Sequence, residues 1–443
     1  MIAFPRRAAR RFRAACLKCV AGRPRGPAPP VVVRRAGGRI TLTAAQPEVT
    51  LELSLSAPAG AADEALVLPM AALEAVEGNA DEPAEFELDE KLTGTARWVV
   101  SGSTRSAPVA FLLPGRQHDP LPRPEMKAEA GRLLSALYEA ARTASRENGR
   151  YALSRVQVRG AAGKVIATDG KVAVVFSGFK FPFPGDVLVP AVPLFGCPEV
   201  RAESEVRVGR TPEHLVVRAG DWTAWLAVAN AGRFPDVAGV IPRRPTSSVG
   251  FDPADVARLL ARLPGLPGGD LEHRPVTLSI DGGVTARAGA EVVTLPRSRA
   301  GGPACRVALD RLHLARLLAL GCHGLGLTPG KAVVGEGDGV TVLVAPLDPA
   351  ASADNSSRSP DTRPERSDVM KPHEANGHAP AGRHDPPAEA LDPLAAAEDL
   401  RAALADAAVK AARLVAALKQ QKREKKALAS VYAGLKQLNL DQP

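Results

Sequence analysis

The feature that most constrains this chain is a repeated order of predicted elements, a helix followed by several strands, recurring three times before residue 348. Arg6 to Val20 can form an amphipathic helix. Ala9, Phe12, Cys16, Cys19 and Val20 share one face, with Arg6, Arg10, Arg11 and Lys18 opposite. Strand-like runs follow at 30–34, 39–44 and 49–55, then a short helix near 68–76 and further strands at 97–101 and 108–112. The second unit opens with an amphipathic helix over 126–147 and continues with strands near 151–159, 163–168 and 171–176. The third has a helix at 252–263, strands near 275–281 and 291–295, a helix at 309–320, and strands at 331–335 and 339–346. Units of roughly 100–125 residues imply repetition at the scale of a domain. A chain of 443 residues needs several cores in any case.

After residue 348 the character changes. Residues 349–393 are rich in Pro, Ser, Asp, Arg and His and poor in large apolar residues, the composition of a disordered linker. From 394 to the end the pattern is helical. Leu400, Leu404, Ala407, Ala411, Leu414 and Leu418 open an a/d heptad, interrupted at Gln421 and Lys425. The expected organisation is 1–120, 121–245 and 246–348 as three α+β domains, 349–393 as linker and 394–443 as a helical, coiled-coil tail.

Composition narrows the function. The formal charge is +9, and the first thirty-five residues carry ten Lys or Arg and no acid, which favours a polyanionic partner. No apolar run approaches the ~20 residues needed to cross a bilayer, so no membrane partner is expected. Five scattered cysteines fit a reducing cytoplasm. Cys16-Leu-Lys-Cys19 has metal-ligand spacing without a second ligand pair, and reads as two small residues on a buried helix face. Enzyme signatures are missing too. Gly163-Lys164 and Gly330-Lys331 lack the leading glycine and the following Ser or Thr of a phosphate loop, and there is no HExxH or Gly-x-Ser-x-Gly. We therefore expect neither catalysis nor a cofactor.

Two segments point further. Val165-Ile-Ala-Thr-Asp-Gly170 is a strand running into an Asp-Gly turn, and Ala231-Gly-Arg-Phe-Pro-Asp236 leads to Val240-Ile241-Pro242. In this order and spacing they resemble the middle domain of the bacterial DNA sliding clamp, the beta subunit of DNA polymerase III. Gly22-Arg23-Pro24, Arg150-Tyr151-Ala-Leu153 and Val342-Leu-Val-Ala-Pro-Leu347 are similar to other segments of that family. The resemblance covers about residues 6–348. It implies three clamp domains with helices lining a pore and antiparallel sheets outside, and a homodimeric ring around double-stranded DNA. It also implies a DNA polymerase and a clamp loader as partners.

The resemblance gives roles to residues. A sliding ring holds phosphates without reading bases. The candidate DNA contacts are Arg10, Arg23, Arg132, Arg142, Arg146, Arg150, Tyr151, Arg258 and Arg262, although ordinary solvated helix faces carry the same pattern. The family's partner-peptide cleft maps onto Leu153, Thr168, Gly170, Lys171, Val172, Pro242, Val344, Ala345, Pro346 and Leu347. Here Lys171-Val172-Ala173 replaces a His-Arg-Leu, and Ala345 and Leu347 replace methionines, which makes the pocket shallower. Pro190 to Pro198 is too proline-rich for a good helix. Gln437-Leu438-Asn-Leu440 resembles a clamp-binding motif lacking its aromatic residue. Two functions follow: a processivity clamp tethering a polymerase, or a clamp-fold paralogue acting as a scaffold or regulator through its tail.

Overall fold

The structure, a computed structural model, describes residues 1–19, 27–58, 62–88, 93–112, 119–129, 131–146, 152–229, 232–242, 244–269, 271 and 273–347. The chain falls into two compact units, Met1–Ser359 and Pro360–Pro443, and everything described belongs to the first. The expected linker and tail, with Gln437, Leu438 and Leu440, lie outside the described residues, as do Arg23, Arg150 and Tyr151.

Seven helices are described, α1 (Arg6–Cys16), α2 (Met70–Val76), α3 (Arg132–Thr143), α4 (Pro198–Arg201), α5 (Val237–Val240), α6 (Pro253–Arg262) and α7 (Arg311–Ala319). Asp252 and Asp310 start α6 and α7 in the usual way, their carboxylates accepting from the N–H groups of Ala254 and Leu312 at 2.8 Å. One expected helix is much shorter than its pattern. Residues 127–129 form an edge strand, with Ala128 opposite Arg207 and Glu129 opposite Val206. The helix starts only after Gly131 and ends at Ala144, whose ψ is 143°. Only the stretch from Leu133 to Ala140 has an apolar face to bury, and outside it strand pairing wins. The proline-rich 190–198 region holds a single 3₁₀ turn, Pro193–Gly196, before α4.

All strand pairing is antiparallel, and two three-stranded meanders follow the helices of each unit. In the first, 31–36, 39–45 and 49–56 precede α2, and 83–88, 93–100 and 103–110 follow it. In the second they are 155–159, 164–168 and 172–177, then 206–210, 214–219 and 222–227. In the third they are 275–280, 284–288 and 291–294, then 324–327, 333–337 and 340–344. The meanders merge across units. Val49–Ser56 pairs with Trp222–Ala227, bringing Leu51 opposite Ala224, and makes an eight-stranded sheet. Val172–Ser177 pairs with Val340–Val344 in the same way, Val172 opposite Val344, within a nine-stranded sheet. Each joint therefore uses the third strand of one unit's first meander and the third strand of the next unit's second meander.

The helices other than α5 pack on the inner faces of these sheets, and one buried cluster runs from Ile2 to Val344. Phe12 of α1 stacks on Trp222 at 6.4 Å, tying the first helix to the second unit. Burying such a ring stabilises by about 1.5–3 kcal/mol. Cys16 and Cys19 are buried there as expected, and burial pushes the Cys19 and Cys197 thiols up to about 12, leaving them poor nucleophiles at neutral pH. No group of described residues could hold a metal ion.

Asp255 is a buried carboxylate in α6. Burial alone would raise its pKa, but it accepts from the Ser298 hydroxyl at 2.9 Å and from the N–H groups of Ser298 and Arg297 at 2.8 Å, with Arg258 alongside. The balance lowers it below the ordinary 3.8. A lowered carboxylate contributes stability that is complete above the unfolded value and lost as pH falls through the folded one. Asp255→Asn should thus destabilise the third unit at pH 7, and the difference from wild type in thermal melts should shrink below about pH 4.

Candidate functional site

Two sets of residues carry the candidate chemistry, the helix arginines and the outer face of the second joint. The buried stripe of each helix faces its sheet, so the arginines point away from the core. Arg10, Arg132, Arg142, Arg146, Arg258 and Arg262 are all exposed. Several have partners within the chain. Arg132 donates to the Gly178 carbonyl at 3.1 Å and lies over the Phe179 ring at 5.2 Å. Arg142 pairs with Glu139 at 2.9 Å, Arg258 with Asp255 at 2.9 Å, and Arg262 with Glu291 at 3.4 Å. Arg10 and Arg146 make no ion pair with a described residue. The positive faces expected from sequence are present, partly compensated by neighbouring acids. The Arg262–Glu291 pair is exposed on both sides and contributes only about 0–1 kcal/mol, so a phosphate can compete for it, whereas Arg142 and Arg258 are held by the largely buried Glu139 and Asp255.

One arginine outside the expected set binds the second and third units together. Arg316 of α7 reaches α3, where its guanidinium donates to the Glu139 carboxylate at 3.0 Å, the Glu139 carbonyl at 2.6 Å and the Thr143 hydroxyl at 2.7 Å. Burial lowers its pKa and the Glu139 charge opposes that.

At the second joint the signature segments have local physical reasons. Thr168 accepts from the Gly170 N–H at 3.0 Å, and Asp169 accepts from Lys171 and Val172 N–H groups at 2.8 and 2.7 Å. Gly170 has φ +92°, a region that suits glycine. Thr-Asp-Gly is thus a self-satisfied turn joining two strands. In the other segment Asp236 caps α5 by accepting from Gly239 N–H at 3.1 Å, while Phe234 and Ile241 pack down on the sheet.

The structure brings most of the expected cleft residues together. Ala345 donates its N–H to the Lys171 carbonyl at 2.8 Å, so Gly170–Val172 and Val344–Leu347 are neighbours, with Pro346 and Leu347 half-buried. Ala152 donates to the Arg233 carbonyl, which brings Leu153 beside the segment carrying Pro242. Two expected residues are turned the wrong way. Val172 and Val344 face the main core at 4% and 0% exposure and cannot line a groove on the outer face. Strand alternation instead puts Ala173 and Leu343 there, with Ile166, Val175 and Val334. Alternation about Val172 was the available signal. This apolar patch is already capped by the chain's own Phe234, Val237 and Ile241.

Comparison with solved structures matches this arrangement over nearly the full length of bacterial sliding clamps. The DNA polymerase III beta subunit from Pseudomonas aeruginosa aligns with a TM-score of 0.62 at 18% identity, covering 78% of this chain and 99% of that one. Those from Thermotoga maritima and Streptococcus pneumoniae align equally, at 14% and 15% identity. The fold is that of the bacterial sliding clamp. No protein-family model matches the sequence, and no curated protein does. The clamp fold is therefore legible in the backbone where overall sequence similarity has been lost. Among the described residues no helix is long and apolar enough to cross a membrane.

Proposed function

We propose that this chain is a sliding clamp, closing head to tail with a second copy into a ring around duplex DNA and tethering a DNA polymerase without catalysis of its own. The observation that carries this reading is the rule of the two joints. Each joins the third strand of one unit's first meander to the third strand of the next unit's second meander. Applied once more, the rule leaves two edges, Glu291–Thr294 of the third unit and Ser103–Ala110 of the first, each ending a four-stranded sheet. Pairing them between two chains makes the heterologous contact that closes a ring. The domain joins then fall near residues 120 and 245, and the exposed arginines of α1, α3 and α6 supply the non-specific phosphate contacts.

A second reading, a clamp-fold scaffold that is not loaded, draws support from the ion-paired arginines and the self-capped groove. One experiment separates them. The purified protein with a clamp loader should be retained on circular DNA and lost from linear ends at moderate salt. Equal, salt-sensitive binding to both forms would instead support the scaffold.

A further inference from the structure

The two joints are built alike but finished differently, and the difference leaves a site at the first one. At the second joint the segment leading out of the middle unit packs Phe234, Val237 and Ile241 onto the outer face of the sheet. At the first joint the corresponding crossing segment, 119–123, is held at two points. The Trp225 indole donates to the Pro122 carbonyl at 3.2 Å, and Arg123 pairs with Glu52 at 2.5 Å. Just before these adjacent ties, Asp119, Pro120 and Leu121 line, together with the sheet, a cavity of about 510 Å³, a volume in the range of small-ligand sites.

The cavity has a direction, set by strand register. Its first cross-strand row is Ala45, Thr50 and Trp225, walled by Pro120 and Leu121. The next is Val32, Thr43 and Glu52. The third holds Arg34 opposite Thr41, and the last Ala36 opposite Arg39. Same-face residues on a strand lie about 7 Å apart, so the Trp225 end and the Arg34 end are separated by about 13–14 Å. One end is aromatic and aliphatic, the middle offers threonine hydroxyls beside Glu52, which Arg123 neutralises, and the far end carries the guanidinium groups of Arg34 and Arg39, the latter donating to the Ser54 hydroxyl at 3.1 Å. An extended peptide has the same 7 Å repeat, with residues i, i+2 and i+4 on one face.

We propose that this cavity is a peptide-binding site, taking an extended segment whose apolar side chain sits at the end walled by Ala45, Pro120 and Leu121 and whose carboxylate, four residues later, meets Arg34 and Arg39. Charge complementarity selects the acid and the register selects the spacing. The site uses neither the pore-side arginines nor the second joint, so it stands independently of the clamp reading.

The test uses the full chain without DNA and a fluorescein-labelled, amidated pentapeptide, Leu-Ser-Thr-Ser-Glu, followed by fluorescence polarisation. Saturable binding is expected, with the Lys-ended peptide weaker by at least about tenfold. Arg34→Glu should reverse that preference, because it moves the charge without touching the apolar end. Thr43→Trp should fill the middle row and lower affinity for both peptides. Circular dichroism checks that each variant is folded, and the half-buried position of Arg34 makes the charge reversal the safer of the two. Equal affinity for the two peptides, no saturation at millimolar peptide, or an unchanged preference in folded Arg34→Glu would each overturn the proposal.

Discussion

Val292→Pro should convert the proposed dimer to monomers while leaving the fold of each chain intact. The reason lies in which backbone groups face outward. Glu291–Thr294 pairs with Val284–Ala288 through a two-residue turn at 289–290, with Ala288 opposite Glu291. The pair flanking such a turn is hydrogen-bonded, and alternation then makes Val292 opposite Arg287 a non-bonded pair, its N–H and C=O aimed at the free edge. Proline at this position removes an outward donor and none from the ladder. The other edge is arranged to match. Ser101 and Gly102, with φ 51° and 78°, form its turn, so Thr104 and Ser106 face outward and Pro108 ends the outward donors. Two outward residues on each side allow at most about four intermolecular backbone bonds, at about 0.5–1.5 kcal/mol each. Losing the central one together with its neighbour's geometry should weaken each of the ring's two contacts by about 30–100-fold, and association of the ring by the product of the two. Sedimentation equilibrium over a dilution series would measure it. A wild-type chain that is monomeric at all concentrations, or a Val292→Pro variant that associates normally, would remove the edge-pairing basis of the ring. If Val292→Pro dissociates the dimer, retention on circular DNA should be lost with it.

The largest stability effect should come from Arg311. Its side chain is buried at the start of α7 with no ion pair to a described carboxylate, yet it is fully engaged. The guanidinium donates to the carbonyls of Leu266 at 2.6 Å, Arg274 at 3.0 Å, Leu263 at 3.3 Å and Pro275 at 3.4 Å, and also to Pro267. Burial, and then repulsion from Arg274, lower its pKa, and Asp310 opposes them. One cation thus closes the irregular stretch between α6 and the following strand. Arg311→Leu would remove a donor from five carbonyls at once; Arg274 and Leu263 keep a backbone N–H each, while Leu266 and Pro267 lose the donor that closes the loop, destabilising the third unit by about 3–5 kcal/mol. Hydrogen exchange in strands 275–280 and 305–310 should accelerate by about two to three orders of magnitude. Arg311→Lys should recover only part of the loss, since an ammonium has three donors and no planar fork. Unchanged exchange in Arg311→Leu would mean the loop holds itself.

Much of this was readable in advance, for definable reasons. The helix faces of α1, α3 and α6 follow from local apolar periodicity, and Asp252 and Asp310 mark their helices by capping chemistry. The Thr168-Asp169-Gly170 turn is equally local, because each bond is made within four residues. What failed to show was anything set by a distant partner. Residues 127–129 read as helix because the strand they pair with lies almost eighty positions away. Val172 and Val344 were assigned to a groove by the family resemblance, which carries positions over without the sheet face each residue takes in this chain. Arg132 and Arg262 read as candidate DNA contacts with no partner of their own, since Phe179 and Glu291 come near them only in the folded chain.

The sequence by itself determined the order of helices and meanders, their apolar faces and the two turn-and-loop segments that resemble the sliding clamp. Only the tertiary structure decided which strands join the units, which edges stay open, and that one joint is packed full while the other encloses a cavity. Local propensity and patterning act over a few residues, whereas strand pairing across a joint depends on contacts more than a hundred residues apart.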